Sequence, residues 1–283
     1  MLNKKRLLVI QAHPDDESFG VGGTLAWYAR QGIEITLVTA TGGEVGPIPE
    51  RFKEAADSPK AIRAKELDCA VKVLGISRLI RLGYQDSGMR GWETNKDPNA
   101  FINQPVAEVS KRLLEIMLAF EPQVVLTHNA KGDYGHPDHI HVYECTAQAF
   151  REYLARNEQA PHQGPGPILY AHLMSRSMLK AAVFFYRLSG KDPHHFGENG
   201  DVDLVELAEI NFPVHAFIKY RSVQKAKEAA SACHASQGGG KIGTGFQNLI
   251  QKLIEKPQDA FTQVLPQPLN NQKIKTDLFE GRL

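Results

Sequence analysis

The sequence predicts an open α/β fold: a Rossmann-like, mostly parallel sheet with helices on both faces, plus a C-terminal extension. Three observations predict it. Short continuous apolar runs such as Leu7-Leu8-Val9-Ile10 recur, the mark of strands buried on both faces. Longer stretches of helical period alternate with them. Polar clusters collect just after the apolar runs, at the carboxyl ends of strands, where ligands bind in such folds.

Each element follows in order. Residues 7–10 read as the first strand and 20–31 as a helix that Gly32 stops. Residues 34–40 form a second β-rich run. Residues 59–74 read as a helix opened by Pro59 and ended by Gly75. Residues 78–82 are a third strand. In 105–120, Val106, Val109, Leu113, Ile116, Met117 and Phe120 fall at helical spacing, and Pro122 ends the helix. Residues 123–127 are a fourth strand, and 139–154 look helical. Past 160 the periodicity weakens. Residues 160–167 read as a loop, 168–174 and 182–186 as strands, 191–203 as a polar loop, 215–235 as a helix and 237–240 as a turn. Residues 1–160 are expected to form the catalytic core. Residues 161–283 are expected to complete the sheet and one wall of the pocket within the same domain.

Composition narrows the function. The 283 residues hold 33 Lys+Arg and 32 Asp+Glu, a formal net charge of +1. That balance argues against a dedicated nucleic-acid binder. With 42% hydrophobic and 23% charged residues, the chain has the make-up of a globular protein. The charge-free stretch 18–29 is too short to span a bilayer, so no membrane partner is expected. The apolar run after Lys4-Lys5-Arg6 ends at Ile10, unlike a secretory signal. Cys69, Cys145 and Cys233 lie far apart without CxxC spacing and read as three reduced thiols of a cytoplasmic protein.

Two clusters carry chemistry. Ala12-His13-Pro14-Asp15-Asp16-Glu17 sets one imidazole and three carboxylates in five positions. Clustered carboxylates repel and cost desolvation, a conflict that a bound cation removes. The plainer alternative is a solvated turn capping the next helix. The second cluster, Gly132-Asp133-Tyr134-Gly135-His136-Pro137-Asp138-His139-Ile140-His141, has three histidines in six positions, in a chain with 11. At a helix start His136 and His139 point the same way. On a strand, His139 and His141 would share a face in an HxH-type di-metal arrangement, but Pro137 suits a helix start. Both clusters follow a strand and both contain His-Pro-Asp, which favours one shared site. His/Asp/His is the simplest three-ligand set for an open catalytic Zn²⁺, and it also tolerates Fe²⁺. Gly20-x-Gly22-Gly23 lacks the order of a dinucleotide fingerprint.

AHPDDE followed by Gly22-Gly23-Thr24-Leu25, with a later His136-Pro137-Asp138-His139, resembles the LmbE / PIG-L superfamily of zinc-dependent N-acetylglucosaminyl deacetylases. The resemblance covers residues 1–155. Tyr134-Gly135-His136 and Asp86-Ser87-Gly88-Met89 are similar to the branch that contains the mycothiol-pathway deacetylase and the mycothiol conjugate amidase. The resemblance implies His13, Asp16 and His139 as metal ligands and Asp15 as general base. It implies that His136, as an imidazolium, steadies the developing oxyanion, that Asp138 orients His136, and that Tyr134 donates its hydroxyl. Arg63, Asp86 and Glu44 are the implied substrate contacts, and His215 is a candidate for a late substrate-binding histidine. The implied reaction is removal of an N-acetyl group from a small amino-sugar substrate that contains N-acetylglucosamine. The alternative is cleavage of a larger amide, such as a mycothiol-like S-conjugate. A protein that merely held the metal would leave Asp15 without a purpose.

Overall fold

The computed structural model describes residues 4–53, 58–158, 166–196, 200–240, 256–270 and 272–281. The strands are β1 (Arg6–Gln11), β2 (Glu34–Thr41), β3 (Arg78–Tyr84), β4 (Val124–Thr127), β5 (Ile168–Leu173), β6 (Ala216–Lys219) and β7 (Gln258–Leu265). Between β1 and β2 lie α1 (Asp16–Phe19) and α2 (Gly22–Arg30). Between β2 and β3 lie α3 (Glu50–Lys53) and α4 (Pro59–Leu74). Then come α5 (Val106–Phe120), α6 (Gly132–Gly135), α7 (Pro137–Glu158), α8 (Arg176–Leu188), α9 (Leu204–Glu209) and α10 (Gln224–Cys233).

Among the described residues the strands form one sheet in the order β3-β2-β1-β4-β5-β7-β6. The first five are parallel, and β7 runs antiparallel to both β5 and β6. The sheet therefore contains strands from both sides of residue 160. Alternation along β1 builds two cores. Leu7 and Val9 pack with α2, α4 and α10, whereas Leu8 and Ile10 pack with α5 and α7. Each such side chain, fully buried, contributes about 1.5–3 kcal/mol. The chain moves outward from β1 through β2 to β3, then returns to lay β4 on the other side of β1. This reversal opens a crevice beyond the ends of β1 and β4, and both histidine-bearing clusters fall there.

Helix ends follow local chemistry. Ser58 Oγ accepts the Ala61 N–H at 3.3 Å to start α4, and Gly75, at φ +74°, stops it. Asp203 caps α9 by accepting the N–H groups of Val205 and Glu206.

Several expectations are corrected. Residues 182–186 belong to α8, not to a strand. Val183 faces the small cluster of Leu179, Leu204 and Leu207 while Phe184 is exposed, which is helical spacing. Residues 215–235 begin as edge strand β6 and become helical only from Arg221, where a 3₁₀ turn over Arg221–Val223 leads into α10. The sequence reading gave no strand for β7. The helix expected from 139 starts at Pro137. Of the loop expected over 160–167, residues 160–165 lie outside the described residues, as do 197–199 of the loop over 191–203. The three cysteines are not all free. Cys69 on α4 is bonded to Cys233 at the end of α10, with Cα atoms 5.8 Å apart, because those helices pack side by side; Cys145 is free and buried. That pairing withdraws the cysteine argument for a reducing compartment. Among the described residues no helix is long and apolar enough to cross a membrane.

Candidate metal centre and substrate pocket

The segment after β1 is bent sharply. Asp15 has φ 113°, unusual for a residue with a side chain and costly by roughly 1–3 kcal/mol. Neighbours hold it there. Its N–H donates to Glu17 Oε2 at 2.9 Å, and its carbonyl accepts from the N–H groups of Ser18 and Phe19. Glu17 is fully buried and is fixed in turn by His234 Nε2 at 2.7 Å. Arg63, on α4, donates to the Asp15 carboxylate at 2.9 Å and to the carbonyls of Pro14 and Gly43 at 2.5 Å each. Arg63 is buried, so it is not the surface ion pair that charge alone would suggest. Gly43 permits the approach, since a Cβ there would overlap the guanidinium.

Beside this turn three donor groups converge. His13 Nδ1 lies 3.2 Å from His139 Nε2, His139 Nε2 lies 3.4 Å from Asp16 Oδ1, and His13 Nδ1 lies 3.7 Å from Asp16 Oδ2. Ligand atoms at 2.0–2.2 Å around a tetrahedral centre sit roughly 3.3–3.6 Å apart; these contacts, which reach one oxygen of Asp16 from His139 and the other from His13, lie near that range. Proton accounting fits as well. His13 Nε2 faces Asp138 Oδ2 at 3.1 Å and Asp86 Oδ1 at 3.5 Å, while His139 Nδ1 faces Asp133 Oδ2 at 2.9 Å. Those nitrogens donate, which leaves lone pairs on His13 Nδ1 and His139 Nε2 pointing at each other. Two facing lone pairs require a cation or a proton between them. Burial lowers the pKa of His13, but Asp86, Asp138 and Asp16 together raise it well above the usual imidazole value. Burial, with His128 adding, pushes His139 below it, Asp16 opposing. In the metal-free chain the proton therefore sits on His13.

Five of the remaining predicted groups, Asp15, Arg63, Asp86, Tyr134 and His136, line a cavity of about 230 Å³. Burial above all, with Asp16 adding and Arg63 opposing, lifts the Asp15 carboxyl to about 7. Although burial pushes Asp86 up, His13 and the Gly88 N–H hold it well below the usual carboxylate range. Burial, then Asp16 and Asp15, push the Tyr134 hydroxyl well above its ordinary value, so it keeps its proton.

The structure revises four assignments. The Asp138 carboxylate bears on His13 and accepts the Ser87 N–H, rather than orienting His136. Asp138 holds His136 only through its main chain, whose N–H donates to His136 Nδ1 at 3.2 Å. His136 is consequently a neutral imidazole with its proton on Nε2, not an imidazolium. Burial, then His13 and His139, push its pKa well below the usual value. Glu44 stands behind the cavity, accepting the Asp86 N–H at 3.3 Å. His215 is not brought to the site: its Nδ1 accepts the Gln263 N–H at 3.0 Å between β6 and β7. His141 sits on α7, not on a strand, with its ring 4.7 Å from that of Phe101.

Sequence reasoning missed His128, Asp133 and His172, which crowd behind His139, and Trp92 and Gln237, which line the cavity. Asp133 stood inside the second cluster and His128 just before it, at the end of the fourth strand, so both could have been singled out. His172, on β5, gave no spacing signal.

Residues 8–150 match the family model PIG-L, described as GlcNAc-PI de-N-acetylase. The chain belongs to the PIG-L family. A relative from Salinispora arenicola, named 1D-myo-inositol 2-acetamido-2-deoxy-alpha-D-glucopyranoside deacetylase, is 36% identical over 251 residues, 83% of this chain and 77% of its own. A relative of the same name from a Nocardioides species is 34% identical across 98% of both chains. Among solved structures, N,N'-diacetylchitobiose deacetylase from Pyrococcus horikoshii superposes with a TM-score of 0.59 at 19% identity, over 93% of this chain and 84% of that one. GalB, the 4-carboxy-2-hydroxymuconate hydratase of Pseudomonas putida, also gives 0.59, at 20% identity over 95% and 100%. A deacetylase and a hydratase thus share the architecture of this PIG-L chain, so the fold alone does not choose the reaction.

Proposed function

We propose that this PIG-L family chain is a metal-dependent hydrolase that removes the N-acetyl group from a small molecule containing N-acetylglucosamine. One observation carries the reading. Asp15, poised near neutrality, faces a sugar-sized cavity beside a complete three-donor group to which it does not belong. His13, Asp16 and His139 would hold the cation, with Zn²⁺ the first choice and Fe²⁺ the other ion this donor set accepts. When bound, the ion polarises the amide carbonyl and lowers the pKa of a water.

The chain's own residues do the rest. Asp15 takes a proton from the attacking water and hands it to the leaving nitrogen, a task that suits a group titrating near 7. Arg63 and Glu17 keep that carboxylate in its bent position. The His136 Nε2–H and the Tyr134 hydroxyl donate to the carbonyl oxygen as negative charge builds on it. Asp86 offers a permanently charged acceptor for sugar hydroxyls. The products are acetate and a free amine. Cleavage of a larger S-conjugate amide finds no support in the names of the relatives, which are deacetylases.

Purified protein loaded with Zn²⁺ or Fe²⁺ should release acetate and free amine from N-acetylglucosaminyl inositol. Its kcat/KM there should exceed those for N,N'-diacetylchitobiose and for an S-conjugate amide. Metal-loaded protein that frees no acetate from any N-acetyl sugar removes this reading.

A further inference from the structure

Behind the ligand group lies a buried polar cluster that the reaction above does not use. Three imidazoles from three elements meet one oxygen. His128 Nδ1, just past β4, lies 2.5 Å from Asp133 Oδ2; His139 Nδ1, on α7, lies 2.9 Å away; His172 Nε2, on β5, lies 3.3 Å away. The other oxygen, Oδ1, accepts from Asn129 Nδ2 at 2.7 Å. None of Asp133, His128, His139 and His172 is more than 7% exposed. The Asp133 backbone sits at φ 60°, ψ −85°, a strained conformation that these bonds offset.

Proton positions follow from the partners. The Ala12 backbone N–H can only donate, and it points at His128 Nε2 at 3.0 Å. That nitrogen is therefore the acceptor, and Nδ1 carries the hydrogen towards Asp133. A carboxylate oxygen ringed by nitrogens accepts, so His139 also holds its hydrogen on Nδ1. Its Nε2 lone pair is thereby aimed at His13 and Asp16. His128, Asp133 and His172 lie close enough to be a second cation site in their own right. A cation there would have to displace the His128 hydrogen and would draw Asp133 away from His139.

We propose that Asp133 is a positioning residue that fixes which nitrogen of His139 faces the cation, with His128 and Asn129 locking the carboxylate in place. The inference rests on the reading of His13, Asp16 and His139 as ligands, and not on any substrate. A carboxylate that orients a ligating imidazole typically sets metal affinity by about 10–100-fold.

The test is Zn²⁺ binding by chelator competition. In Asp133→Asn, still folded by circular dichroism, Kd should rise by about 10–100-fold while the stoichiometry stays at one ion per chain. In the wild-type protein, ¹⁵N-edited imidazole spectra should place the His139 hydrogen on Nδ1. A folded Asn variant that binds Zn²⁺ within twofold of wild type overturns the proposal. If that variant does not fold, a wild-type His139 carrying its hydrogen on Nε2 alone overturns it instead, and one carrying it on Nδ1 upholds it. Two ions per wild-type chain, falling to one in His172→Gln, would make the cluster an ion site and also overturn it. Because the readout is binding, a wild-type protein without deacetylase activity counts against the substrate reading and leaves this result standing.

Discussion

The tripeptide His-Pro-Asp lies at the site twice, at 13–15 and at 136–138, and its two copies are used in opposite ways. In the first, the imidazole sits at the cavity edge with its Nδ1 turned to His139 and Asp16, while the Asp15 carboxylate faces the cavity beneath Arg63. In the second, His136 lines the cavity, while Asp138 is sealed at 0% exposure against His13. The backbone makes the difference. Asp15 precedes α1 at φ 113°, whereas Asp138 sits within the first turn of α7. The role of such a motif is set by where its residues fall relative to the helix start, and the letters themselves do not reveal it.

The comparison can be broken experimentally. Asp15→Ala should lower kcat by about 10²–10⁴-fold, with metal content staying near one ion per chain. Loss of the ion together with activity would make Asp15 a ligand and erase the asymmetry. His136→Asn should cost about 10²–10³-fold in kcat, again with the ion retained, whereas His13→Asn should lose the ion itself. Metal analysis of the two variants separates the imidazoles. Asp138→Asn should weaken metal binding by about 10–100-fold through His13, an effect that Asp15→Asn should not share. Equal metal affinities in those two variants would refute the division of labour.

The smallest effect concerns pH. Burial lifts Asp15 from 3.8 to about 7 in the folded, metal-free chain. A group that holds its proton more tightly when folded contributes stability below its unfolded pKa and loses it as pH rises through the folded value. At pH 8 the ionised Asp15 is thus a cost. Asp15→Asn should raise the Tm of the metal-free protein there, with the gain shrinking as pH falls towards 5. A Tm difference that stays level across that range would place the Asp15 titration elsewhere.

Much of the first half was legible because it obeys local rules. Leu7-Leu8-Val9-Ile10 is buried on both faces and reads as such, and Ser58-Pro59 and Gly75 punctuate α4. The convergence of His13, Asp16 and His139 was legible because both clusters are short and follow neighbouring strands. What the sequence hid is non-local or two-sided. Ala182-Val183-Phe184-Phe185-Tyr186 is a short apolar run, which period alone cannot assign to strand or helix. Ala216–Lys219 has only four residues before a helical pattern takes over. The Cys69–Cys233 bond spans 164 residues and has no spacing to betray it. The exchange of roles between Asp15 and Asp138 depends on backbone angles, and the meeting of His172 with Asp133 depends on the pairing of β5 with β4.

His13 and His139 stand 126 positions apart in the chain, and only the pairing of β1 with β4 brings their loops together. The denatured chain therefore has no comparable seat for the ion. Every tenfold of free ion above the dissociation constant adds about 1.4 kcal/mol to the native state, by mass action alone. An ion held there as proposed would therefore act on the fold as well as on the reaction, and its removal would lower the native state's margin over the denatured chain.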